Sequence, residues 1–236
     1  MMSPYQREKP RQQVYLYRGQ NRDDFPDIVT HVDVDWDLTE IPQEGFYDSE
    51  DLELIMLPMK LRIIGVAAFY NCRKLRYISP LPPSLREIQN HAFYGCRMLR
   101  RIHLPEGLRV IGYAAFFRCW ALKELIIPST IREIHDSAFV GCRGLESLLL
   151  PEGLQVIREQ TFAGCTGLLR MKIPSTVKCI EDRAFHDCKM LYSLELSVDV
   201  TIEGFEVFHG CENLTVSTTA CLFSLGFLYF DFETNT

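Results

Sequence analysis

Nine cysteines in a chain of 236 residues invite three chemistries: disulfide pairing, zinc ligation and an activated thiolate. Seven of them obey a ruler, with Cys72, Cys96, Cys119, Cys142, Cys165, Cys188 and Cys211 separated by 24, 23, 23, 23, 23 and 23 residues. No zinc-ligand pattern has that spacing. If one structural unit repeats at this period and stacks in register, successive members come within about 5 Å, which is disulfide reach. A cysteine repeated at the same place between a phenylalanine and a leucine is, however, a packing position. There a small buried thiol donates its S–H to a loop carbonyl. Cys179 and Cys221 fall outside the column, and neither lies in a cluster that would activate a thiolate.

Carboxylates and histidines raise the question of a metal site. Asp33, Asp35 and Asp37, with Glu44 eleven residues after the first, partly mimic an EF-hand calcium loop. Leu38 stands where that loop needs glycine, and Pro42 sits late in it, so these acids read as strand-face and turn residues in water. The histidines His31, His91, His103, His135, His186 and His209 show no metal spacing, and no phosphate loop, nucleophile elbow, zinc-protease or dinucleotide motif occurs. The expectation is no catalytic residue, no metal and no cofactor. A site assembled from several units, which no linear motif would show, is the enzyme alternative.

The elements that position these residues follow from the ruler. Three residues before each cysteine stands Phe69, Phe93, Phe116, Phe139, Phe162, Phe185 or Phe208, and three after it Leu75, Leu99, Leu122, Leu145, Leu168, Leu191 or Leu214. Ala, Thr or Val precedes each phenylalanine, and the spacings of three and four predict one face of a helix. An alternating stretch follows, such as Leu122, Leu125, Ile127, which predicts a strand ending at Pro105, Pro128, Pro151 or Pro174 in its unit. A second apolar pair, Leu108 with Ile111 or Leu154 with Ile157, forms the opposite wall. Upstream the template continues in degenerate form, with Ser49 and then Pro26 in the cysteine column, and an insertion at Ser79 to Pro83 explains the single 24-residue interval. No such unit buries its apolar edge alone, so stacking completes the core and the end units must be capped. Val14 to Tyr17 and the aromatic tail Phe227 to Phe232 are the expected caps.

Charge narrows the partners. A net charge of -6 argues against sequence-independent binding of nucleic acid. Met1 to Gln13 lacks the apolar run of a secretory signal, and the longest apolar stretch, Ala220 to Phe230, is shorter than the roughly 20 residues that span a bilayer. An intracellular, cytoplasmic chain is expected. Residues 21 to 53 hold twelve acids and one base, while 60 to 132 hold thirteen bases and three acids, which predicts a solenoid polar along its axis. Stacking would gather Arg73, Arg97 and Arg143 into one basic ladder and Arg76, Arg100 and Lys123 into another.

The stretch IPSTIREIHDSAFVGCRGLESLLLPEGLQVIREQTFAGC resembles the BspA-type leucine-rich repeat. That resemblance implies an α/β right-handed solenoid with a parallel concave β-sheet, here about nine coils of 23 residues. It implies no catalytic residues. The expected division is 1–25 as tail and N-terminal cap, 26–216 as solenoid, and 217–236 as C-terminal cap and tail.

Within each strand the residues between the apolar positions should face outward: Tyr77, Ser79, Arg101, His103, Glu124, Ile126, Ser147, Leu149, Arg170, Lys172, Ser193 and Glu195. Ile126 and Leu149, flanked by Arg101, His103, Arg170 and Lys172, form an apolar centre with a charged rim. The expected function is a non-enzymatic protein-binding scaffold. Its candidate contacts are Tyr77, Arg101, His103, Glu124, Ile126, Leu149, Arg170 and Lys172, with Arg76, Arg100 and Lys123 beside them. Its expected partner is a protein carrying an acidic segment, with no nucleic acid or membrane, and the chain is expected to be a monomer. An extracellular adhesin or host-contact protein is the alternative.

Overall fold

Proline supplies no N–H to a ladder, so Pro105, Pro128, Pro151 and Pro174 limit the strands they follow to a few residues and turn the chain onto a new wall. The computed structural model describes residues 14–20, 26 and 28–218. Its main wall is built from β1 (Val14–Tyr17), β2 (His31–Val34), β4 (Leu54–Met56), β6 (Tyr77–Ile78), β8 (Arg101–His103), β10 (Glu124–Ile126), β12 (Ser147–Leu149), β14 (Arg170–Lys172), β16 (Ser193–Leu196) and β18 (Thr215–Thr218). Two-residue strands alternate with these in the chain and make the second wall: β3 (Glu40–Ile41), β5 (Ile63–Ile64), β7 (Glu87–Ile88), β9 (Val110–Ile111), β11 (Glu133–Ile134), β13 (Val156–Ile157), β15 (Cys179–Ile180) and β17 (Thr201–Ile202). Pairing is parallel on both walls, with residues one repeat apart as partners, for example Leu125 opposite Ile102 and Ile134 opposite Ile111.

The third side overturns the expected helix. No helix occurs among the described residues, so the α/β class implied by the resemblance gives way to an all-β solenoid. Around Phe139 the amides alternate in their use. Ala138, Val140 and Cys142 donate to carbonyls three residues back, while Ser137, Phe139 and Gly141 donate to Glu159, Thr161 and Ala163 of the next coil. Ser137 and Gly141 have φ of 58° and 70°, a left-handed conformation that ends a right-handed helix wherever it occurs. Spacings of three and four thus come from consecutive tight turns, locked to the neighbouring coil.

The phenylalanine column fills the core. Phe46, Phe69, Phe93, Phe116, Phe139, Phe162, Phe185 and Phe208 stack with successive centroids 5.1 to 5.7 Å apart, which defines eight complete coils. The ninth expected coil, around Val29, lacks its ring, and Pro26, aligned with the cysteine column, is exposed. Tyr17 of β1 supplies the missing ring instead. It is fully buried, with its centroid 4.6 Å from that of Phe46, and so caps the stack. The expected C-terminal cap at Phe227 to Phe232, and Cys221, lie outside the described residues.

Three joints interrupt the ladders. The main wall is divided between β6 and β8 and between β10 and β12, and the second wall between β11 and β13. The first joint coincides with the inserted residue. Leu75 to Leu81 spans one residue more than Leu99 to Leu104, the corresponding stretch in the next coil. Ser79, expected to face outward, is instead buried, where its Oγ accepts the Leu57 N–H at 2.8 Å. Pro80 follows with no N–H to offer. An extra residue that ends strand pairing in this way behaves as a bulge.

Candidate functional site

Every column cysteine is buried and used. Cys72, Cys96, Cys119, Cys142, Cys165, Cys188 and Cys211 donate their S–H groups at 3.1 to 3.2 Å to the carbonyls of Phe46, Phe69, Phe93, Phe116, Phe139, Phe162 and Phe185, one coil back. Burial raises the Cys96, Cys119 and Cys142 thiols far above the usual range and pushes Cys165 up to about 12, so a nucleophilic thiolate is disfavoured. On the second wall, burial and then the neighbouring Glu203 also raise Cys179. These thiols are structure.

The acids of the calcium-like segment do not converge. Asp33 is exposed on β2, Asp35 accepts the Asp37 N–H at 3.0 Å, and Asp37 pairs with Lys60 at 2.9 Å. Among the histidines, His31 bonds Thr30, His135 lies 3.2 Å from Glu133, and His91 packs edge-on against Tyr113. His186 and His209 stack at 5.0 Å.

Charge polarity along the chain becomes an ion-pair seam. Lys60, Arg73, Lys74 and Arg76 each reach back one coil, to Asp37, Glu50, Asp51 and Glu53, at 2.6 to 3.2 Å. The acidic and basic segments thereby meet at their boundary, with exposed pairs worth little singly. Both basic ladders are shorter than expected as a result. Arg76 is held by Glu53, and Lys123 lies 3.8 Å from Glu146, which leaves Arg100 as the member with no carboxylate within salt-bridge distance among the described residues.

In the other ladder an unforeseen residue intervenes. Trp120 occupies the position between Arg97 and Arg143, with the two guanidinium carbons 4.2 and 5.2 Å from its ring. A second aromatic row was also missed, formed by Tyr47, Tyr70, Tyr94 and Phe117 at 4.5 to 4.8 Å. Both could have been found in the sequence, because Trp120 directly follows a column cysteine and the second row directly follows the column phenylalanines.

The outward face of the main wall holds the candidate contacts. Tyr77, Arg101, His103, Glu124, Arg170 and Lys172 are exposed there, as are Arg76, Arg100 and Lys123 at its edge. Ile126 and Leu149 are 66% and 77% exposed, while their neighbours Leu125, Ile127 and Leu148 are buried. This register follows from the two-residue period of a strand, which sends alternate side chains to opposite faces. Two contiguous depressions mark the face. One, of about 280 Å3, is lined by His103, Lys123, Glu124, Ile126, Ser147 and Leu149. The other, of about 390 Å3, lies at the joint between β6 and β8, among Arg76, Tyr77, Ser79, Arg100, Arg101 and His103. Ile102 and His103 belong to both.

Six copies of the BspA type leucine rich repeat region match this chain, across residues 39–168 and 132–224. The chain belongs to that family. This BspA-type chain is 31% identical to a leucine-rich repeat protein of T. pallidum, whose crystal structure it matches with a TM-score of 0.62 over 78% of this chain and 77% of that one. A leucine-rich repeat protein of Bacteroides ovatus is 29% identical, with a TM-score of 0.66 over 87% of this chain, which spans only 59% of that protein. The pneumococcal vaccine antigen PcpA, at 20% identity and a TM-score of 0.51 over 86% of this chain and 65% of that one, shares the fold. No curated protein matches.

Proposed function

We propose that this BspA-type solenoid is a non-enzymatic scaffold that binds a protein partner on the outward face of its main wall. The observation that carries this reading is the exposure of Ile126 and Leu149 on successive coils of that face, between coils that present Arg101 and His103 on one side and Arg170 and Lys172 on the other. Adjacent exposed aliphatics within a polar rim have the anatomy of an interface core. Stacked repeats lend such faces length, and the stiffness of the ladder holds them ready for a partner without ordering costs. The expected setting is the reducing interior of a cell, supported by seven column thiols that all serve as S–H donors.

Affinity capture from the cells that make the protein tests the reading. Wild type should retain a partner that the double variant Ile126→Asp, Leu149→Asp loses. Capture of the same proteins by both would move the site off this face.

A further inference from the structure

Among the described residues, the joint between β6 and β8 is the place on the main wall where an inserted residue, an interrupted ladder and an arginine without a carboxylate partner, Arg100, coincide. We propose that this notch is an anchoring site for a carboxylate side chain from an acidic segment of the protein partner, which lays its neighbouring apolar residue on Ile126 and Leu149. The inference rests on the binding face proposed above and specifies what that face recognises.

Three features select the anchor. Ser79 and Pro80 end the pairing of β6, and bulges that end pairing commonly re-aim side chains beside functional sites. A volume of about 390 Å3 lies within the range of ligand clefts. The cleft is also charged and incompletely paired. Of its arginines, Arg76 is engaged by Glu53 at 3.0 Å, Arg101 only approaches Glu124 at 3.9 Å, and Arg100 has no carboxylate within salt-bridge distance among the described residues. Arg100 is therefore available and Arg101 is only loosely held, and guanidinium recognises a carboxylate through paired N–H donors.

The adjoining groove selects the rest of the occupant. It shares His103 with the notch and runs to Leu149, two coils from Arg101. Ile126 lies one coil and Leu149 two coils from Arg101, each two positions further along its strand, so at about 4.8 Å per coil and 3.3 Å per residue the apolar pair is roughly 8 to 12 Å from the anchor, the reach of about two to four residues of an extended segment. Charge complementarity with the notch and apolar contact beyond it thus call for an acidic residue closely followed or preceded by an aliphatic or aromatic one. A second copy of this chain or an anionic membrane are the competing occupants.

Selection of a displayed library of short random peptides on the whole protein tests this. Enriched peptides should carry Asp or Glu two to four residues from Leu, Ile or Phe. Their affinity should fall about tenfold with Arg100→Ala and Arg101→Ala together, and similarly when the peptide's Glu becomes Gln, since each change removes a charge-assisted contact. Glu124→Gln should tighten binding, because it releases Arg101. Melting curves of these surface variants should match wild type.

Enrichment of apolar peptides lacking an acid, whose binding is lost only with Ile126→Asp and Leu149→Asp, would overturn the notch and leave the face standing. If neither pair of substitutions alters peptide binding, or if no peptide is enriched, both readings fall. Binding to phosphatidylserine vesicles that Arg100→Ala and Arg101→Ala abolish would assign the notch to a membrane, and self-association that they abolish would assign it to a second copy. Either result overturns the proposal.

Discussion

Cys142 donates its S–H to the carbonyl oxygen of Phe116 at 3.2 Å, across the boundary between two coils. The same oxygen accepts the Cys119 N–H at 3.1 Å, so one carbonyl ties a turn to itself and to the next repeat. Cys142→Ala should therefore cost about 1 to 2 kcal/mol, from a lost weak hydrogen bond and a small cavity, since the carbonyl keeps its backbone donor. Urea denaturation measures it. A loss below that of an exposed-residue control would make the column dispensable.

Buried thiols also make the fold sensitive to base. Burial raises the folded-state Cys96 and Cys142 above the unfolded value of 9.0 and lifts Cys165 to about 12. Above pH 9 the unfolded chain releases protons that the folded chain retains, so the stability present below that pH declines as it rises towards 12. Tyr17, raised by burial from 10.0 to about 12, acts in the same direction. The melting temperature should fall steadily above pH 9, and less steeply for Cys165→Ala.

Phe139 lies between Phe116 and Phe162, at 5.5 and 5.7 Å, and is fully buried. Phe139→Ala should destabilise the chain by about 3 to 5 kcal/mol, through a cavity lined by two neighbouring coils. Lys123→Ala, at an exposed position, is the control. Equal denaturation midpoints for the two would contradict the stacked core.

Gly112 and Ala114 respond in opposite ways to a Cβ. One added at Gly112 would meet Asn90 N and Gln89 C of the preceding coil at 2.7 Å, so Gly112→Ala should force the coils apart and lower the melting temperature markedly. Ala114 has a φ of 50°, where glycine is at ease, so Ala114→Gly should be near neutral or stabilise by up to about 1 kcal/mol. Thermal unfolding of the two variants compares them directly.

Ile126→Asp with Leu149→Asp separates register from recognition. A carboxylate in water costs little and a buried one several kcal/mol, so the double variant should melt close to wild type. Marked destabilisation would mean that these side chains are covered in the folded protein.

Period and composition alone determined the solenoid, its stacking unit and the inward or outward sense of Ile126 and Leu149. A fold that repeats every 23 residues writes its core columns into the sequence at that interval, as the phenylalanine and cysteine columns show. What needed the tertiary structure was every feature set by the relation between coils. A spacing of three or four describes a helix and a run of tight turns equally well, and only the amides given to the next coil decided for turns around Ser137 and Gly141. An inserted residue is visible in the sequence, but that it turns Ser79 inward and opens a notch depends on which strand it must pair with. Basic ladders could be drawn by alignment. Which charges they keep was decided by acids one coil away, because Glu53 and Glu146 engage Arg76 and Lys123 and leave Arg100 facing the cleft.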